Sequence, residues 1–153
     1  MQNKDESVWK SYEKFKKDYD LTLKNNKTCS EIVQEIMKDR GFTIEKLVEK
    51  SKLSTQTVHR LRSGRMKNNK GMETEYLPNH KTIIAFSIAC ELDMLMTITL
   101  LESLGYGFRR TSEVHYAYCY LIVHCRGESI DECNKALEKL GIAEPYHLRN
   151  FTR

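Results

Sequence analysis

The sequence predicts an all-α protein. Three observations carry that expectation: only two prolines in 153 residues, a high content of helix-forming residues, and apolar positions that recur at helical spacing. A chain of this length fits one domain, or a small domain with extensions. It buries about two-thirds of its unfolded surface, so it needs no covalent staples. Helices are expected near 8–19, 29–40, 44–51, 55–62, 80–91, 94–104, 113–125 and 130–140.

Ser7 caps the first. Trp9, Tyr12, Phe15 and Tyr19 form an aromatic stripe between lysines, expected to pack onto the core or a partner chain. Residues 20–27 read as a linker. Thr28 and Glu31 form a capping box for the second helix, whose buried stripe is Ile32, Val33, Ile36 and Met37, with Gly41 as its stop.

Two short helices and a tight turn follow. Thr43 caps 44–51, where Leu47 and Val48 face inward. Leu53 fills the turn. Ser54 caps 55–62, Val58 and Leu61 are its inner pair, and Gly64 ends it. Thr55, Gln56, His59, Arg60 and Arg62 are left outward, a polar and basic face on a helix short enough for a DNA major groove. The connection over 65–79 reads as either a loop or a wing, with Arg65, Lys67 and Lys70 able to meet phosphates.

Asn79 caps the next helix, with Ile83, Phe86, Ala89 and Cys90 at helical spacing. Asp93 caps 94–104, where Met94, Ile98, Leu101 and Leu104 face inward or toward a second subunit. Ser112 caps 113–125, with Val114, Tyr118, Leu121, Ile122 and Cys125 apolar. Tyr116, Tyr118 and Tyr120 read as packing residues. Ser129 and Glu132 form a second capping box, followed by a stripe of Ile130, Cys133, Leu137 and Leu140.

Charge is unevenly spread. The chain carries a formal +4, but residues 41–81 hold nine Lys/Arg against four Glu, and from Lys52 to Lys70 there are six basic residues and no acid. That run overlaps the outward helix and points to a nucleic-acid partner. The last third is nearly charge-balanced, so it reads as a cap on the core or a dimer interface.

At Gly41–Gly64 the sequence resembles the helix-turn-helix of the XRE family, the lambda-repressor-like DNA-binding domains. Thr43, Leu47, Leu53, Ser54, Val58, Leu61 and Gly64 fall in register with the family pattern without a gap. The resemblance implies a five-helix DNA-binding domain over 28–104, with an N-terminal helix and linker over 1–27. A C-terminal helical extension over 105–153 resembles, more weakly, those of some bacterial regulators. It also implies binding of double-stranded DNA, a homodimer, and a bacterial or phage transcriptional regulator such as a repressor. Base contacts are then expected from Thr55, Gln56, His59 and Arg60, and phosphate contacts from Thr43, Lys46, Arg62, Arg65 and Lys67. Ile44 stands where the family usually has a glutamine on the DNA backbone. Lys52 stands where a turn glycine is usual, and Arg62 where an acid is common. These departures, with the long 65–79 connection and the aromatic N-terminal helix, support a rival reading: an antitoxin, anti-repressor or phage inhibitor of a host protein that keeps the scaffold without reading DNA.

Other chemistries find little support. No glycine-rich phosphate loop, Ser/His/Asp set or paired carboxylates can be assembled, so no enzyme and no cofactor are expected. His115, Cys119, His124 and Cys125 offer N and S donors on adjoining turns, but ligands on one helix rotate about its axis, and no metal site is expected. The five cysteines are odd in number and lack a Cys-x-x-Cys pair. The opening MQNKDESVWK is polar, and no apolar run nears the ~20 residues of a membrane span. A cytoplasmic protein with reduced thiols, among them Cys119, Cys125 and Cys133, and no membrane partner is expected.

Overall fold

A computed structural model describes residues 4–148. Among the described residues there are eight helices and one short hairpin: α1 (Lys4–Asn25), α2 (Cys29–Arg40), α3 (Ile44–Ser51), α4 (Thr55–Ser63), β1 (Arg65–Lys67), β2 (Glu73–Glu75), α5 (His80–Ala89), α6 (Met94–Ser103), α7 (Glu113–His124) and α8 (Ile130–Lys139), followed by a 3-10 turn at Glu144–Tyr146. No strand includes any residue of 29–62.

The body is built around α5. Every residue from Ile83 to Ala89 is buried, all of them apolar but Ser87, so this helix is covered on all sides rather than on a stripe. It touches α3 on one side, α6 and α7 on another, and α8 beyond them. One continuous hydrophobic cluster runs from Cys29 in α2 to Leu148, taking in Leu47, Val58, Leu61, Phe86, Leu100, Tyr118, Leu121 and Leu137. The last third therefore shares its core with the helices before it. Tyr118 donates its hydroxyl to the Tyr146 carbonyl at 2.6 Å. Asn134 exchanges two hydrogen bonds with the Leu148 backbone, at 2.9 and 2.7 Å. These hold the tail on α7 and α8.

Helix ends follow the capping chemistry of the sequence. Thr28, Thr43, Ser54, Asn79, Asp93, Ser112 and Ser129 each accept a backbone N–H three residues on. At the far end of α5, Arg40 donates to the carbonyls of Cys90 and Glu91, a cation placed on the negative end of a helix.

Several expectations are corrected. The first helix runs from Lys4 to Asn25, not 8–19, so most of the expected 20–27 linker is helical. Asp5 and Glu6 favour its N-terminal turn, a Glu6–Lys10 pair spans the next, and no glycine or proline interrupts it as far as Asn25. Its aromatic stripe does not pack on the core: every residue from Asp5 to Leu21 is exposed. The 65–79 connection contains an antiparallel hairpin, with Met66 opposite Thr74. Leu140 is largely exposed, and Ile142 takes the buried position after α8. Of the three neighbouring tyrosines only Tyr118 packs; Tyr116 and Tyr120 are exposed. On α6 the buried set is Thr97, Leu100 and Leu101, while Met94, Ile98 and Leu104 are half-buried.

Candidate nucleic-acid interface

α3 and α4 form the helix-turn-helix, and its geometry starts at the turn. Thr43 Oγ1 accepts the Lys46 N–H at 3.1 Å, and Ser54 Oγ accepts the Thr57 N–H at 3.1 Å. Between them Lys52 adopts φ +59°, the left-handed conformation that closes α3, and its N–H reaches the Val48 carbonyl at 3.0 Å. A non-glycine residue in this region costs about 1–2 kcal/mol. Buried Ser51 accepts the Leu53 N–H at 3.2 Å, which turns Leu53 into the core.

α4 is locked on its inner side. Val58 and Leu61 are fully buried against α2 and α3. Its C-terminal end is held as well: Gln34 of α2 donates to the Arg62 carbonyl at 2.7 Å. Gly64 follows at φ +71°, where a Cβ would lie 2.8 Å from Ser30 Oγ, so both conformation and space select glycine.

The outer face of α4 carries Thr55, Gln56, His59 and Arg62, all exposed. Arg60 differs. It is half-buried beside Tyr76, whose hydroxyl is pushed above its usual pKa by burial and pulled back by the Arg60 cation. Lys46, in the first turn of α3, and Lys50, in its last, lie over the Phe42 ring, at 5.1 and 5.5 Å from its centroid. Thr43 is exposed at the same end.

The hairpin leaves directly from α4. The Tyr76 N–H bonds the Gly64 carbonyl at 2.8 Å and roots it. At the tip, Asn68 Oδ1 accepts from both Lys70 and Met72 N–H groups, at 2.9 and 3.0 Å. The register sets Arg65 opposite Glu75 and Lys67 opposite Glu73, and Arg65 pairs diagonally with Glu73 at 3.7 Å. All four are exposed on one face. Two of the six basic residues of the run, Arg65 and Lys67, thus share their face with two glutamates. Lys70, at the tip, lies beyond these paired strand positions.

The residues named in the sequence therefore fall into three groups, with Arg60 set apart, half-buried beside Tyr76. Thr55, Gln56, His59 and Arg62 share the open face of α4, Thr43 and Lys46 stand at the start of α3, and Arg65 and Lys67 stand on the hairpin among glutamates. Sequence reasoning missed Gln34, which fixes the end of α4, and the strand pairing that sets Glu73 and Glu75 beside Arg65 and Lys67. The glutamates were detectable in principle: two residues apart on a strand, they must share a face.

His115 and His124 do not gather with the cysteines. His115 Nδ1 accepts the Arg109 N–H at 2.7 Å and its ring stacks on His80, while His124 packs on Tyr120. All five cysteines are unpaired. Burial pushes the Cys90 and Cys133 thiols up to about 12, which keeps them protonated and unreactive at neutral pH. No helix among the described residues is long and apolar enough to cross a membrane.

Two capped helices, a buried turn residue and an outward polar face define a helix-turn-helix of the DNA-binding class. Residues 33–74 match the family model described as the Cro/C1-type HTH DNA-binding domain, which is consistent with an XRE-type helix-turn-helix in this stretch. The match runs from the middle of α2 into β2. No curated protein and no solved structure matches the chain.

Proposed function

We propose that the protein is a sequence-specific, double-stranded DNA-binding regulator of bacterial or phage transcription. In this reading it acts as a cytoplasmic homodimer, without cofactor or catalysis, and represses by occupying its site. The observation that carries this is the open outer face of α4, on a helix whose inner side, N-terminus and C-terminus are all fixed. A rigid helix holds side chains in register with base edges, where a mobile one loses discrimination.

Gln56 is assigned the main base contact. It is exposed two residues after the cap, and its amide can pair with adenine N6 and N7. Thr55 meets a thymine methyl or a phosphate, and His59 donates to a neighbouring base or phosphate. Arg60, held beside Tyr76, must swing outward to reach a guanine, so it is the weakest of the four base contacts. Thr43, Lys46 and Arg62 hold phosphates. Arg65 and Lys67 do so with reduced effect, because Glu73 and Glu75 share their face. The helix dipole adds to this: the N-terminus of α4 carries no acid in its first turn and presents partial positive charge to the backbone.

The test is a salt titration of binding to a site selected from random duplex DNA and to a scrambled duplex. Gln56→Ala is expected to cost about 1–3 kcal/mol on the selected site only and to leave the salt slope unchanged. Lys46→Ala is expected to weaken both duplexes alike and to flatten the slope by about one. Equal loss on both duplexes for Gln56→Ala would show that α4 does not read bases. If the wild-type chain binds neither duplex at low salt, the antitoxin or inhibitor reading takes its place.

A further inference from the structure

The feature the DNA-binding surface does not use is α1. It is the longest helix, at 22 residues, and none of its described side chains from Asp5 to Leu21 is covered. Val8, Tyr12, Phe15 and Tyr19 recur at alternating four- and three-residue steps, the seam spacing of a paired helix. Val8 is 69% exposed and Phe15 67%. The rings are already arranged: Trp9 stacks on Tyr12 at 5.5 Å and Phe15 on Tyr19 at 6.4 Å. We infer that α1 is a self-association helix, pairing antiparallel with α1 of a second copy of this chain. The use made of the dimer on DNA rests on the function proposed above; the pairing itself does not.

Three features of α1 select this occupant. The first is area. Aromatic side chains carry ~150–250 Å² each, so the stripe offers on the order of 500 Å² per helix. Two copies then bury about 1,000 Å², the lower bound for a specific interface.

The second is complementarity across the seam. An antiparallel pair centred between Glu13 and Lys14 sets Val8 on Tyr19 of the second copy and Tyr12 on Phe15. On one flank, Lys16 then lies against the Trp9 ring, a cation on an aromatic face. On the other, the Ser11 hydroxyl lies against the Asp18 carboxylate. Parallel pairing offers Lys16 only Ser11.

The third is length. Asn25 lies about 11 to 12 residues from that centre, so at 1.5 Å per residue the two C-terminal ends stand about 35 Å apart. α2, which packs on α4 of the helix-turn-helix, begins four residues beyond each end. Half-sites one turn apart on duplex DNA are separated by about 34–36 Å. Parallel pairing would instead bring both attachment points together, within about 10 Å, the distance between packed helices.

The full chain is examined by sedimentation equilibrium at 100 µM, beside the double variant Tyr12→Glu/Phe15→Glu. Both positions are exposed in one copy, so the variant should keep the wild-type melting curve at 1 µM. The expected result is a dimer for wild type and a monomer for the variant. Orientation is read by a spin label at Asn26→Cys, in a chain with Cys119→Ser and Cys125→Ser. Antiparallel pairing predicts a label separation of roughly 35–45 Å, once linker length is added to the helix ends. A wild-type monomer at 100 µM, a variant that stays dimeric, or a label separation under about 20 Å would each overturn the inference. So would a monomer that co-sediments with vesicles of anionic phospholipid, since a lipid surface would then be the occupant. These readouts need no DNA. If the dimer forms and neither duplex is bound, the proposed function fails and the pairing stands. If both hold, the double variant should bind a single half-site like wild type and a paired site at least ten-fold more weakly.

Discussion

α1 and α4 show how little helix length says about how a helix is used. α1 has 22 residues and no covered side chain among those described; α4 has nine and is fixed at both ends. Both are amphipathic. In α4 the apolar pair Val58 and Leu61 is buried by α2 and α3, leaving a polar face for a ligand. In α1 the apolar face itself is left open. The difference lies in what the neighbouring sequence provides. Leu53 and the Ser54 cap turn the chain back so that α4 lies on the body, whereas the sequence after α1 provides no such return.

The largest expected effect breaks this contrast at its root. Leu61→Ala removes a fully buried side chain at a site gripped by two helices, and should cost about 2–5 kcal/mol of stability. Phe15→Ala, in a larger and more exposed side chain, should stay within about 0.5 kcal/mol at dilutions where one copy is present. Urea melts at 1 µM compare them. Equal losses would show that α1 packs on the body in solution.

A smaller effect sharpens the account of how α4 is set. Lys52→Gly relieves about 1–2 kcal/mol of left-handed strain and gives back part of it as unfolded-state entropy. The expected net gain is about 0.5 kcal/mol, read as a higher urea midpoint at unchanged slope. A loss would mean that the lysine stem contributes packing at the turn that outweighs the strain.

The same contrast explains which parts of the molecule were legible in the sequence. Caps were: Thr43, Ser54, Asn79, Asp93, Ser112 and Ser129 are local signals, and each acts within its own turn. The buried pair of α4 was legible for the same reason, and the left-handed Lys52 from the family resemblance, which puts a glycine there. Effects that depend on distant chain were not. The basic run from Lys52 to Lys70 looks uncompensated in order of residues, yet strand pairing folds Glu73 and Glu75 back onto it. Gln34 reads as a solvated position until α4 ends against it. The spacing of Trp9, Tyr12, Phe15 and Tyr19 reveals an apolar face, but spacing cannot say whether the body covers it.

The smallest expected effect concerns the joint between the helix-turn-helix body and the last third, where a histidine pair stands at the edge of the shared hydrophobic core. His115 ring packs at 4.6 Å on His80, with Phe108 against its edge, and its Nδ1 accepts the Arg109 N–H. That bond requires an unprotonated Nδ1. His80 bonds the Gly107 carbonyl through Nε2 at 2.8 Å, so both rings hold the 105–111 connection. His115 lies in the first turn of α7 and His80 opens α5. The His115 pKa is lowered, by burial first, then by His80 and Arg109. The unfolded chain therefore binds this proton more readily than the folded one. Stability from His115 is fully present above the ordinary histidine range, near 6.5, and is lost as pH falls from there through the lower folded value. Thermal melts from pH 8 down to 5.5, a range above most carboxylate titration, should show a modest decline. His115→Gln keeps an oxygen that can accept the Arg109 N–H and cannot take up a proton, so its decline should be shallower. If the variant follows the wild-type pH curve, the joint is held by the Tyr106 and Phe108 rings and not by the neutral imidazole.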